Sequence, residues 1–570
     1  MKKRKIVPLL LSAALVLGAA GCSVPSSAPG AAEESESRRE ETVGTVQTES
    51  AVQSSAEAAG KYAEVLRVGT TKPADIFNLT DTNGSFGKMN YNSFVGAQFL
   101  DLDVEGKIRP HLMKTWEIAP DNKSIVATFA TDEGVTWHDG VPLTIDDIIF
   151  TMEYYVDPMK YKYFETVTSV EKINDTTLKL NFDEPAAFTE LIRIAHFAFA
   201  IPKHIWEGIE NPLEYAGEDA VIGCGPYRLT DIDRDAQVVT FEAVDNYFLG
   251  ELTVKKVIMR TYDSHDALVM ALRSGEIDAV YDYSNALDAS MKPSLTGIDG
   301  IDPGMSTNPG HFQMTFGFNA APTNDLSFRQ AVAAALDYEL LATSIGGEDG
   351  EVAGTGIVSP TALGYDPSFP LNARDLEKSM SILDAAGYVD IDDDGIRESP
   401  EGEPLDVLVT PQFNKTRSAL YLRICEIVIS NLKDVGVNAV LDEESVRNQD
   451  YEAEVRSSGM CQIYIGYTSP GVAQFQSAFL YMIDQGNSSW GTCRDEKLIE
   501  AYEKMLTADS YETYYRHSKE AQTIAAEEVV GIALCWDKAY FPYSTKYKGW
   551  TNSPGWGAVN ADTWYNIRPE

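Results

Sequence analysis

The sequence predicts an α/β fold, and three observations carry the prediction. Beyond residue 60, stretches of alternating apolar residues recur between stretches with helical apolar spacing, the pattern of strands interleaved with helices. That body is 10 % or so aromatic and long enough for two or three lobes at roughly 150 residues each. The only long departure from the pattern is the N-terminal segment before residue 60.

Lys2, Lys3, Arg4 and Lys5 form a basic head, and Ile6 to Leu17 is an apolar run too short to span a bilayer with ordinary flanks. The run ends in "LGAAGC", small residues leading into Cys22. This resembles the bacterial lipobox, with Ala19 where Leu is preferred, and the resemblance implies that residues 1–22 are a lipoprotein signal with Cys22 as the lipidated residue. Residues 23–60 are rich in Ser, Ala and Glu and hold no aromatic residue. Such a segment buries too little apolar surface to offset its ordering entropy. It reads as a flexible tether with an r.m.s. reach of roughly 35 Å. No second apolar run approaches the ~20 residues of a membrane helix. The expectation is an exported body, lipid-anchored at the outer face of the cytoplasmic membrane.

The formal net charge is −40. Nucleic acids and anionic membrane surfaces both require cationic patches, so neither is an expected partner. Of six cysteines, Cys22 is assigned to the lipid. Cys224, Cys425, Cys461, Cys493 and Cys535 remain, an odd number with no CxxC spacing, which excludes a zinc ribbon and leaves pairing open.

The first well-patterned segment is "GVTWHDGVPLTIDDIIF", residues 134–150, where a histidine and three aspartates suggest catalysis or a metal. Local structure explains them better. Asp139-Gly140, flanked by Val135 and Trp137 on one side and Val141 and Leu143 on the other, is a hairpin turn. Thr144 followed by Asp147 is a variant capping box opening a helix through Ile145, Ile148, Ile149 and Met152. His138 then belongs to a turn and the acids to a helix N-terminus.

That stretch lies inside a longer resemblance. Pro110, Leu112, Trp116, Trp137, Asp139, Gly140, Thr144 and Asp147 match the opening signature of bacterial extracellular solute-binding proteins of the peptide/nickel type, family 5, the receptors of ABC importers. "IPKHIWE", "IGCGPYRL", "VDNYFLG", "LRSGEIDAV", "FGFN", "SFRQAVAAALDYELL" and "SMSILDAAGY" follow in the family's order. Phe328, Ala331, Val332, Ala335 and Leu336 recur there at helical spacing, and Gly387 stops the later helix as a left-handed C′ residue.

The resemblance implies a two-lobed periplasmic-binding-protein-like fold, the large three-subdomain type II variant, with the ligand cleft between the lobes. It divides the chain into 61–315 as lobe one with an extra subdomain around 98–222, 316–534 as lobe two, and 535–570 as a return to lobe one. Phe316, Asn319 and Trp536 are the expected hinge residues. It implies a monomeric, non-enzymatic receptor that closes on a solute, most simply a peptide, and delivers it to permease subunits. Nickel chelates, opines and glycans are the alternatives, and a secreted hydrolase is a distant one. No G-x-S-x-G elbow, HExxH pair or Walker loop occurs.

Peptide-binding members hold the ligand amine with an aspartate in a Gly-Trp-x-x-Asp segment. The corresponding stretch here is "IYIGYTSPGVAQF", with Tyr467 at the Trp and Pro470 at the Asp, which puts that route in doubt. The expected pocket residues are Tyr467, Thr468 and Ser469, with Trp490, Phe77 and Asn78 from other loops. No cofactor is required by this chemistry. "DIDDDGIRESPE" nevertheless fits a calcium-loop pattern, with Asp390, Asp392, Asp394, Gly395 and Glu401 in place. A structural calcium bracing the second lobe is the expectation there.

Overall fold

The computed structural model describes residues 60–72, 78, 92–104, 106–157, 159–160, 164–281, 286–415, 417–459, 461–468, 479, 482–483, 493–555 and 557–570. Cys22, Phe77, Ser469, Pro470 and Trp490 lie outside the described residues. No described helix is long and apolar enough to cross a membrane.

Three sheets carry the architecture. A seven-stranded sheet runs in the order Ile301–Asp302, Tyr543–Ser544, Ala279–Val280, Leu66–Thr70, Lys256–Thr261, Val238–Ala243, Tyr227–Asp233. Its central strand, Leu66–Thr70, is parallel to both neighbours. A four-stranded antiparallel sheet of Met113–Ile118, Ser124–Phe129, Thr177–Phe182 and Val167–Lys172 forms the extra subdomain. A five-stranded sheet runs Asn438–Leu441, Asp406–Pro411, Ile463–Thr468, His311–Phe316, Gly531–Ala533.

Each sheet has its own core. The helix Leu326–Ala335 turns Phe328, Ala331, Val332 and Ala335 inward against Phe312, Met314 and Phe316 of the five-stranded sheet. The helix Leu376–Ala385 ends at Gly387, which takes a φ of 87°. The helix Ile145–Val156 opens on the Thr144–Asp147 capping box and buries Ile148 and Met152 over the subdomain sheet. The hairpin before it closes through Trp137 N to Val141 O at 2.8 Å, with Gly140 at a φ of 89°. His138 lies in this turn, one ring nitrogen 3.0 Å from the Gly225 carbonyl, while Asp139 accepts from His204 at 2.8 Å.

The chain crosses between the seven- and five-stranded sheets twice, and the two crossings pair as Met305–Thr307 with Lys538–Tyr540. His311–Phe316 is wholly a strand of the five-stranded sheet, so the expected boundary at 315/316 moves upstream of His311. Phe316 is locked in register with Ile463, and Asn319 lies beyond it in an exposed turn. Gly317 has no room for a side chain, because a Cβ there would sit 1.8 Å from the Cys461 carbonyl oxygen. Of the expected hinge residues, Phe316 and Asn319 thus belong to the five-stranded sheet and the turn after it, and Trp536 lies just before the paired crossing.

All described residues belong to one compact unit, 56–570. The extra subdomain touches the second lobe directly. Asn122 donates its amide to the carbonyls of Thr507 at 3.2 Å and Ala508 at 3.1 Å, capping the end of the helix Glu496–Leu506 from across the gap. Thr189 donates to Leu506 O at 2.6 Å, and the Tyr511 hydroxyl accepts from Ile108 N at 3.1 Å. Phe188 and Ile192 pack with Leu498, Met505 and Tyr514. The five described cysteines are free and buried, and burial pushes the Cys493 thiol up to about 11.

Candidate functional site

The strands Asp406–Pro411 and Ile463–Thr468 are parallel, and their carboxyl ends point to the crossing segments. Open α/β sheets bind ligands outside such strand ends. There the chain gathers Asp288, Asn308, Gln412, Arg417, Tyr467 and Asp537.

Arg417 precedes the helix Ser418–Lys433, with its backbone N–H taken by the Asn414 side chain at 2.9 Å. Its guanidinium reaches back out of the second lobe. Nη2 donates to the Ala286 carbonyl at 3.3 Å, and Nε lies 3.1 Å from Asp288 Oδ1. That second contact is an ion pair without hydrogen-bond alignment, so Nε keeps an unused donor. The guanidinium carbon stands 5.2 Å from the centre of the Tyr467 ring, a cation–π distance. Burial alone would lower the Arg417 pKa, but Asp288, then Tyr467, Tyr421 and Asp537, more than offset it.

Tyr467 is fixed on all sides. Its backbone N–H donates to Gln412 Oε1 at 3.0 Å, its ring packs on Phe312, and its hydroxyl accepts from Asn308 at 2.9 Å. Burial pushes the phenol up to about 12, against the pull of Arg417. Asn308 also donates to both Asp537 oxygens, at 3.2 and 3.4 Å. Burial raises the Asp537 carboxyl to about 7, with Arg417 and the Asn308 hydrogen bond opposing. The result is one mostly buried cation facing two carboxylates and a phenol, an arrangement suited to a ligand bearing carboxylate and amine.

Of the sequence-predicted residues, Tyr467 lies at this site, and Thr468 follows it on the other face of the sheet. Thr468 is fully buried at the end of its strand, and Trp536 precedes Asp537 in the return crossing. Asn78 lies elsewhere, its amide donating to the carbonyls of Pro212 at 2.6 Å and Tyr215 at 2.8 Å. Asp390, Asp392 and Asp394 do come together, with ligand oxygens within 4.8 Å, all exposed. Glu401 is not in that cluster, and the three aspartates also accept from the backbone amides of Asp394, Gly395 and Ile396. The acid that turns onto this loop is Glu398, which accepts from Ile391 N at 2.7 Å.

Sequence reasoning missed Arg417, Asp288, Asn308 and Asp537. Arg417 sits in "FNKTRSAL", where a basic residue before a helix carries no signal, and Asp288 is 129 positions away. A separate recess of about 350 Å³ lies in the first lobe, lined by Gln98, His111, Phe199, Trp564 and Tyr565 among others. Its Arg109 is already shared between Asp101 and Asp562, at 2.6 and 2.8 Å. It holds none of the residues gathered at the crossing.

Two α/β lobes joined by a paired crossing, with a polar cluster at the strand ends beside it, define a two-lobed solute-binding protein. Residues 107–490 match the family model described as Bacterial extracellular solute-binding proteins, family 5 Middle, and the chain belongs to that family. It is 25 % identical over 531 residues to the oligopeptide-binding protein AppA of Bacillus subtilis, covering 85 % of this chain and 90 % of that one. It is 22 % identical over 508 residues to heme-binding protein A of Haemophilus influenzae, covering 85 % and 88 %. The solved structure of the ABC transporter substrate-binding protein CtaP from Listeria monocytogenes superposes with a TM-score of 0.74 at 21 % identity, over 89 % of this chain and all of that one. Members of this family are extracellular or periplasmic receptors for transported solutes.

Proposed function

We propose that the chain is the substrate-binding subunit of an ABC importer for peptides, moored to the membrane by lipid on Cys22 and free to rotate on its 23–60 tether. The observation that carries the peptide reading is Arg417, mostly buried, with an unused Nε donor and two carboxylates opposite. A peptide carboxylate pairs with the guanidinium in the fork geometry that arginine favours. Asp537 supplies an anion for the amine end, in place of the aspartate that Pro470 replaces, while Asp288 is the resident anion that a ligand carboxylate displaces from Arg417. The name of the Bacillus relative supports the same solute class.

Binding does its work by closure. A solute that touches both lobes only when they meet shifts the open–closed equilibrium, and a full shift takes about 5.5 kcal/mol of differential affinity. The contacts made by Asn122, Thr189 and Tyr511 are the ones that closure would make and break. The test is calorimetry against a peptide panel, paired with X-ray scattering. A binding peptide should shrink the radius of gyration and be recovered unchanged. Conversion of any panel ligand to product would defeat the receptor reading.

One observation favours a second reading. With Pro470 at the amine-binding position, a carboxylate-rich non-peptide solute, such as an opine or a metal chelate, would use Arg417 equally well. Such solutes belong in the same panel.

A further inference from the structure

One face of the five-stranded sheet carries buried polar atoms that the fold leaves unsatisfied. Side chains alternate along a strand, so His311, Gln313 and Thr315 share a face, opposite to Phe312, Met314 and Phe316 in the core. Register sets Thr468 directly across from His311, Gly466 across from Gln313, and Ala533 on the other side of Gln313. His311, Gln313 and Thr468 are at most 1 % exposed. Among the described residues, both ring nitrogens of His311, both amide atoms of Gln313 and the Thr468 hydroxyl have no hydrogen-bond partner. The Pro309 carbonyl acts on the His311 ring without reaching hydrogen-bond geometry.

An unmade buried hydrogen bond costs the full desolvation of its group, and native folds leave few of them. Five such atoms on one small face are not explained by stability. Their position is informative. The His311–Thr468 pair lies at the strand ends beside the crossing, and the Trp536 ring stands edge-on to His311 at 5.2 Å. Gly466 and Ala533, flanking Gln313, add no large side chain there, and Ala533 packs with Ala353 and Trp536. Tyr467 and Arg417 belong to the opposite face, so this group is distinct from the ionic cluster.

We propose that His311, Gln313 and Thr468 form a polar subsite of the solute cleft, taking an uncharged ligand group that both donates and accepts hydrogen bonds, a carboxamide or a hydroxyl. The inference rests on the solute-receptor reading and names a specificity for it. Burial pushes the His311 pKa down to about 4, so near neutral pH the ring offers one donor and one acceptor. Gln313 offers both kinds and Thr468 either kind. None of the three is charged, so a carboxylate or ammonium buried there would lack a counter-charge and be rejected.

The test uses the full chain, dialysed free of bound solute, and two sources of the matching chemistry. The first is a set of pentapeptides with Gln, Leu or Glu at each position in turn; the second is a neutral oligosaccharide. At one position Gln should bind at least tenfold tighter than Leu and Glu, or the oligosaccharide should bind where the peptides do not. Gln313→Leu and His311→Phe should each erase that preference by lowering the affinity for the Gln peptide at least tenfold. Equal affinities for Gln and Leu at every position, unaltered in both variants, would mean that water alone meets these groups, and would overturn the subsite.

A melt of the unliganded protein decides the matter independently. Replacing an unsatisfied polar group by an apolar one of similar shape should hold or raise Tm, whereas a fall beyond ~5 °C would reveal a structural partner and sink the proposal. Failure of every peptide and sugar to bind the parent protein would refute the solute class instead, with the melts still deciding the subsite.

Discussion

Arg417 and Asp288, 129 positions apart in sequence, meet as an ion pair at 3.1 Å that joins the second lobe to the segment leading into the crossing. The pair is misaligned as a hydrogen bond, which leaves the guanidinium competent to accept a better anion. An incoming carboxylate would displace Asp288 or share Arg417 with it.

Arg417→Lys should therefore weaken binding of any carboxylate-bearing solute by roughly 10- to 100-fold, the worth of a charge-assisted fork. Asp288→Asn should strengthen it, because the competing anion is gone. Calorimetry on the two variants checks both directions, and a loss in Asp288→Asn would mean that the aspartate holds the ligand.

Asp537 gives a pH signature. Its folded pKa, about 7, lies above the ordinary carboxyl value because of burial. Between about pH 4 and 7 the folded state keeps a proton that the unfolded state has lost, so this group's contribution to stability falls as pH rises through that window. Asp537→Asn should remove the decline. Denaturant unfolding at pH 5 and pH 8 should show the variant gaining on the parent at the higher pH, and an unchanged difference would place the Asp537 pKa in the ordinary range.

Asn122 ties the extra subdomain to the second lobe and holds a φ of 55°. Asn122→Gly keeps that backbone conformation and removes the amide, together with its bonds to Pro185 O at 2.8 Å and from Phe188 N at 3.1 Å inside the subdomain, so stability of the unliganded protein is measured beside affinity. Loss of this cross-lobe cap should cost about 1–2 kcal/mol of closure, seen as a weaker ligand affinity with little change in the scattering profile of the saturated protein.

Gly317→Ala tests the packing beside the sheet. A methyl 1.8 Å from the Cys461 carbonyl oxygen forces a strand shift, with an expected loss of about 2 kcal/mol or more in urea unfolding.

What the sequence made legible was local. Asp139-Gly140 and Thr144–Asp147 specify a turn and a cap through neighbours within four residues, and both form as read. The helix Leu326–Ala335 was equally plain from its apolar spacing. The fold class followed from such elements and from their order along the chain. The ionic cluster was not legible, because Asp288, Asn308, Arg417 and Asp537 meet only through the crossing, and no spacing announces them. His311 stood out only as a histidine that sequence could not place, and Gln313 as an ordinary strand residue; register and burial show their polar atoms to be orphaned. The boundary slipped for a related reason: "FGFN" marks the end of a strand, and the crossing before it leaves only a three-residue pairing.

The most direct measurement is mass spectrometry of the small molecules retained by natively purified protein, parent beside Arg417→Ala. The parent should carry peptides, and the variant should carry far less of them. A parent that retains a non-peptide solute, or a variant loaded with the same peptides to the same extent, would contradict the assignment of Arg417 as the anchor of a peptide receptor.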